Sequence, residues 1–81
     1  MEQVESLRFM NTSSAETFGE RVRRLREAHA MTQVELAVRA NLNPVTIVRV
    51  EAGGPAQPLT IKKLARALGV KPRMLTTGEQ P

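Results

Sequence analysis

Residues 33–51 read QVELAVRANLNPVTIVRVE, and the spacing of small, apolar and polar residues predicts two short helices meeting at a tight turn. Thr32 followed by Glu35 is a capping-box pair, in which hydroxyl and carboxylate each satisfy a free backbone N–H at a helix start. A helix therefore opens at about Gln33. Leu36, Ala37 and Ala40 give it one apolar face, with Ala37 small where a second helix must pass close by. Asn41 then leads out of the helix, because Asn, after Gly, most readily takes the left-handed conformation that such an exit needs. Asn43 caps the next helix, and Pro44 holds its first position, where a missing N–H costs nothing. Ile47 and Val50, three apart, turn back onto the first helix, and Leu42 fills the turn.

Outward from this core, Ser13 with Glu16 forms a second capping-box pair and opens a helix to about His29, with Phe18, Val22, Leu25 and His29 as its inward stripe. GGPAQP, residues 53–58, is a loop by composition. Thr60 is the expected cap of a fourth helix that turns Ile61, Leu64, Ala65 and Leu68 inward and stops at Gly69. Lys71 and Pro72 restart a short fifth helix, with Val70, Met74 and Leu75 as its apolar members. Val4, Leu7 and Met10 recur at three-residue spacing, so residues 1–12 form a flexible arm or a short extra helix. Residues 77–81 read as a disordered tail. The chain is thus expected to be all-α, with one compact five-helix domain over residues 13–76 and no repeat, low-complexity run or strand pattern.

The segments FGERVRRLREA, MTQVELAVRANLNPVTIVRVEAG and TIKKLARALGV follow one another in the order of the lambda-repressor and Cro-like (XRE-type) helix-turn-helix family, which the chain resembles over residues 18–75. Two positions depart from that family's habit. Asn41 stands in the turn where glycine is usual, and Ala30 stands where glycine commonly ends the first helix, each at a small cost in backbone strain. The resemblance implies a double-stranded DNA-binding transcription regulator, expected to be a repressor, that reads the major groove with the helix at about residues 44–52.

Charge agrees. The chain carries +4 overall, but residues 18–76 hold eleven Lys or Arg against four Glu, a net +7, while the remaining ends sum to −3. A basic domain with weakly acidic ends is the electrostatic footprint of phosphate-backbone binding. With 81 residues the core is small, and association with a second copy would add to it. There is no Cys and a single His, so neither a disulfide framework nor a zinc site is expected, and no cofactor is implied. Nothing resembles a signal peptide or a run of about 20 apolar residues able to span a bilayer, which predicts a cytoplasmic protein without membrane contact.

By position in the resemblance, Pro44, Val45 and Arg49 stand where base readers stand. Arg49 is the strongest of them, since a guanidinium donates two bonds to the O6 and N7 of guanine. Val45 suits a thymine methyl, and Pro44 donates nothing, so part of the specificity is expected to come from DNA shape. Val45 and Val48 are equally readable as core or as cover for a partner. Gln33, at a helix N-terminus, together with Asn43, Thr46, Lys62 and Lys63, is expected on the DNA backbone, where contacts position without reading. Arg21, Arg23 and Arg24 add long-range attraction or simply a solvated face. Arg26 and Glu51 take the family's positions for an ion pair between the first and third helices. His29 reads as a packed or boundary residue and the methionines as core filler.

No paired carboxylates, activated nucleophile or phosphate loop points to an enzyme. The reading from another class is a protein-interaction module of the same fold, such as the antitoxin of a toxin pair, for which Val4, Leu7, Phe9 and Met10 are the candidate partner surface. Small controllers of restriction-modification systems and phage repressors have similar size. One recognition helix covers few base pairs, so a homodimer on a palindromic operator is expected, with half-sites about 34 Å apart. Its expected interface is Val70, Met74 and Leu75. With no effector domain in the sequence, regulation is expected through concentration, proteolysis or a partner.

Overall fold

Three helices start on a short polar side chain that folds back onto its own backbone. The computed structural model describes residues 16–78, which form α1 (Phe18–Ala28), α2 (Gln33–Ala40), α3 (Pro44–Glu51), α4 (Pro58–Leu68) and α5 (Pro72–Thr76). No strand occurs among the described residues. Thr32 Oγ1 accepts from Glu35 N at 3.0 Å while Glu35 Oε1 accepts from Thr32 N at 2.8 Å, and Asn43 Oδ1 accepts from Val45 N at 2.9 Å.

The first helix starts later than the sequence predicts. Its box is Thr17 with Glu20, at 3.1 and 2.9 Å, rather than Ser13 with Glu16. Both are Ser/Thr-x-x-Glu patterns, and local sequence does not rank them. What separates them is Glu16, which in the observed start lies outside the helix and accepts from Arg24 at 2.7 and 3.1 Å. Ser13 and the arm 1–12 lie outside the described residues. α1 also ends one residue early, so His29 is its exposed C-cap rather than part of the inward stripe. His29 Nε2 still reaches the carbonyl of Leu68 at 3.1 Å.

α4 opens at Pro58, two residues before the expected Thr60 cap. Gln57 is its N-cap and contributes no side-chain bond. Proline in the first turn explains this, because its fixed φ suits the helix and it brings no N–H to satisfy. Of the expected tail 77–81, Thr77 instead closes α5, its N and Oγ1 donating to the Arg73 carbonyl at 2.9 and 2.7 Å. Residues 79–81 lie outside the described residues.

Two helices leave through the left-handed region in the same way. Asn41 has φ 56° with Leu42 N donating to Ala37 O at 2.8 Å, and Gly69 has φ 70° with Val70 N donating to Ala65 O at 3.0 Å. Ala30 also sits at φ 56°, so both departures from glycine noted in the sequence fall on left-handed backbone.

The core joins Val22, Met31, Leu36, Ala37, Ala40, Ile47, Val50, Leu64, Ala65, Leu68 and Leu75. α3 packs on α2 and on α1, and α4 backs α2 and α5. α1 and α3 meet at Gly19, where a methyl group would fall inside contact distance of the Val50 carbonyl oxygen. Glycine is used here for close approach, not for backbone freedom.

Candidate nucleic-acid interface

α3 has two unlike faces. Ile47 and Val50 are fully enclosed, while Pro44, Val45, Val48 and Arg49 stand at the surface. Val45 and Val48 are 53% and 49% exposed, which removes the core reading of both. Val48 thereby joins the outward face, although the sequence left its role open. Thr46 lies half-buried on the flank of the helix. Asn43 is exposed, and its Oδ1 serves as the cap, which leaves the side-chain amide as its outward donor.

The angle of that face is set at the far end of α3. Arg26 of α1 grips Glu51 through two bonds, Nε to Oε2 at 2.7 Å and Nη2 to Oε1 at 3.0 Å, and Nη1 donates to the Met31 carbonyl at 2.8 Å. Gln33 Nε2 donates to Glu51 Oε1 at 3.1 Å. One carboxylate thus joins α1, α3 and the start of α2. With side chains 11% and 5% exposed, Arg26 and Glu51 are largely desolvated, and a bidentate guanidinium bond is the geometry that repays desolvation best. The hydrogen bonds it donates to Glu51 hold the Arg26 guanidinium still more firmly protonated than usual. Gln33, half-buried, keeps its second amide hydrogen at a helix N-terminus that favours an anion.

Arg21 was missed by the sequence reading. Its side chain is 10% exposed, and the guanidinium donates through Nη1 to the Leu75 carbonyl and through Nη2 to the Glu16 carbonyl at 3.0 Å. Nε lies 3.5 Å from Glu16 Oε1, an ion-pair separation rather than a hydrogen bond. Arg21 therefore ties the segment before α1 to the end of α5. The signal was its position three residues after Phe18, on the inward side of the helix. Arg23 and Arg24 are exposed, paired with Glu27 and Glu16.

Lys62 is exposed and Lys63 half-buried. They line a groove between α4 and the C-terminal end of α2, and Lys63 Nζ donates to the Asn41 carbonyl at 3.4 Å. Val70 and Met74 are half-buried. Leu75 is 0% exposed, enclosed by its own chain, which corrects its expected place in a dimer interface: a side chain without surface cannot meet a partner. Among the described residues no group of His, Cys, Asp or Glu could hold a metal ion, and no helix is long and apolar enough to cross a membrane.

Residues 22–75 match the family model for "Helix-turn-helix". The chain belongs to that family, of XRE type, a class of transcription regulators and not of enzymes. It is 44% identical over 57 residues to the HTH-type transcriptional repressor RghR of Bacillus subtilis (strain 168), covering 68% of this chain and 42% of that protein. A second regulator from the same organism, RghRB, is 44% identical over 55 residues, covering 65% of this chain and 40% of its own length. The chain thus spans about two fifths of these curated relatives. Among solved structures, the restriction-modification controller protein C.AhdI from Aeromonas hydrophila superposes with a TM-score of 0.71 at 36% identity, covering 78% of this chain and 97% of that one.

Proposed function

We propose that the protein is a sequence-specific regulator of transcription, acting as a repressor, that lays α3 in the major groove of double-stranded DNA. The observation that carries this reading is the division of α3 into an enclosed inner face and an outer face bearing Arg49, with the helix anchored by Arg26 and Glu51. Relatives whose names describe a transcriptional repressor and a controller protein support it. Arg49 takes a guanine, Val45 packs on a thymine methyl, and Pro44 shapes the approach of the helix start. Gln33, Asn43 and Thr46 hold phosphates on either side. Two copies bind a palindrome, meeting through Val70 and Met74, and the protein works in the cytoplasm.

Selection of bound sequences from random duplexes is expected to return a two-fold symmetric site with half-sites about one helical turn apart. On that site Arg49→Ala is expected to lose about 1–3 kcal/mol, with binding to random duplex little changed. Equal losses on both would move Arg49 to the backbone. An asymmetric site bound by one copy would remove the dimer.

A further inference from the structure

Five large apolar side chains stand exposed among the described residues. Val45 and Val48 belong to the proposed reading face, and Val34, Val38 and Leu59 do not. Leu59, 62% exposed, projects from the first turn of α4 into the groove that Arg39, Asn41, Lys62, Lys63 and Arg66 wall. Four of those five side chains are cations, and no acidic residue lines the groove. On the other side of Arg39, Val34 and Val38 continue the apolar surface one turn apart along α2, in a shallow cleft that Arg39 also lines.

We propose that this groove docks an acidic, amphipathic segment of a partner protein, its carboxylates on Arg39, Lys62, Lys63 and Arg66 and an apolar side chain against Leu59. Charge complementarity selects this occupant. A DNA backbone would match the cations but leave Leu59 facing phosphate with nothing apolar to cover it. On the described surface of a second copy Glu16 and Glu51 are paired with Arg24 and Arg26, and Glu20 and Glu35 cap helices, which leaves Glu27, in a weak exposed pair with Arg23, as the one carboxylate to set against four cations. The groove contains none of the exposed α3 side chains, so it is a site separate from the proposed DNA face.

The test uses the full chain labelled with 15N and a synthetic helical peptide of Glu and Asp with leucines at three- and four-residue spacing. A control peptide has the same charge with every leucine replaced by serine. The leucine peptide is expected to shift the amides of residues 39–42 and 59–66 and to leave residues 45–49 unmoved. Leu59→Ser, and Lys62→Glu combined with Arg66→Glu, should each weaken the peptide at least tenfold. The side chains of Leu59, Lys62 and Arg66 are exposed, so the unfolding midpoint of each variant should stay unchanged; affinity for the selected operator should stay within twofold in Leu59→Ser, and in the Lys62/Arg66 variant the slope of log K against log salt should stay that of the wild type. Equal binding of the serine peptide would overturn the proposal, reducing the groove to bulk charge. Loss of operator affinity in the Lys62/Arg66 variant, with the slope of log K against log salt lowered by about 0.9 per lost contact, would overturn it in favour of DNA phosphate. Shifts in the groove that grow with protein concentration alone would overturn it in favour of a second copy.

Discussion

Two arginines three residues apart on α1 each meet a glutamate, with different consequences. Arg23 reaches Glu27 on its own helix at 3.2 Å, with both side chains more than half exposed, 64% and 55%. Arg26 reaches Glu51 on α3 at 2.7 Å, with 11% and 5% exposed. Water screens the first pair and competes for its hydrogen bonds, so an exposed i,i+4 pair contributes a few tenths of a kcal/mol. The second is almost dry, and losing one partner strands a charge that water barely reaches. The same residue types are decoration on one flank of α1 and a fastening on the other.

The largest expected effect comes from breaking the fastening. Glu51→Ala should cost about 3–5 kcal/mol in denaturant unfolding, because Arg26 is left without its partner and Gln33 loses its acceptor. The Arg26→Ala and Glu51→Ala double-mutant cycle should give a coupling well above 1 kcal/mol. Coupling near zero would mean that the two flanks of α1 do not differ. Gly19→Ala on the same flank should cost at least about 1–3 kcal/mol, since the neighbouring atom is backbone and cannot swing aside. A neutral result would show that α1 slides away from α3 freely.

Glu16 lies between the extremes. Its hydrogen bonds from Arg24, together with the nearby charge of Arg21, hold its carboxyl below the usual carboxylate pKa despite a smaller opposing effect of burial. Folding therefore favours the ionised form. The stability it adds is complete above the ordinary carboxylate range and is lost as pH falls through the lowered folded-state pKa. Below about pH 4.5 the wild type should lose stability more steeply than Glu16→Gln, by less than about 1 kcal/mol because the Arg24 side is open to water. Parallel pH profiles for the two would remove Glu16 from the account. The smallest effect belongs to the exposed pair: Arg23→Ala should change stability by no more than about 0.5 kcal/mol and lose even that at high salt.

How much was legible depended on distance along the chain. Thr32, Asn41, Asn43 and Gly69 were read in their observed roles because each acts on backbone within four residues of itself. The helix starts at Ser13 and Thr60 were misplaced by the same kind of reading. Ser13 with Glu16 and Thr17 with Glu20 carry one local pattern, and what separates them is the pairing of Glu16 with Arg24, eight residues on. At α4, Pro58 gave an earlier start that needed no capping hydroxyl. Leu75 was read as uncovered because it stands near the end of the chain, but α4 and α1 close over it.

The sequence by itself determined the all-α class, the helix-turn-helix unit, the left-handed exits and the inward placing of Ile47 and Val50, because these follow from periodicity and from side chains acting on their own turn of backbone. Tertiary structure alone decided that Arg21 is buried against Leu75 and Glu16 while Arg23 stays in water, and that Glu51 serves Arg26 and Gln33 at once. It also decided that Lys62 and Lys63 share a groove with Arg39 and Leu59. Each of these depends on which helices meet across 18 or more residues of chain, or on which way a helix turns its side chains, and both are fixed when apolar faces and close backbone contacts are satisfied together.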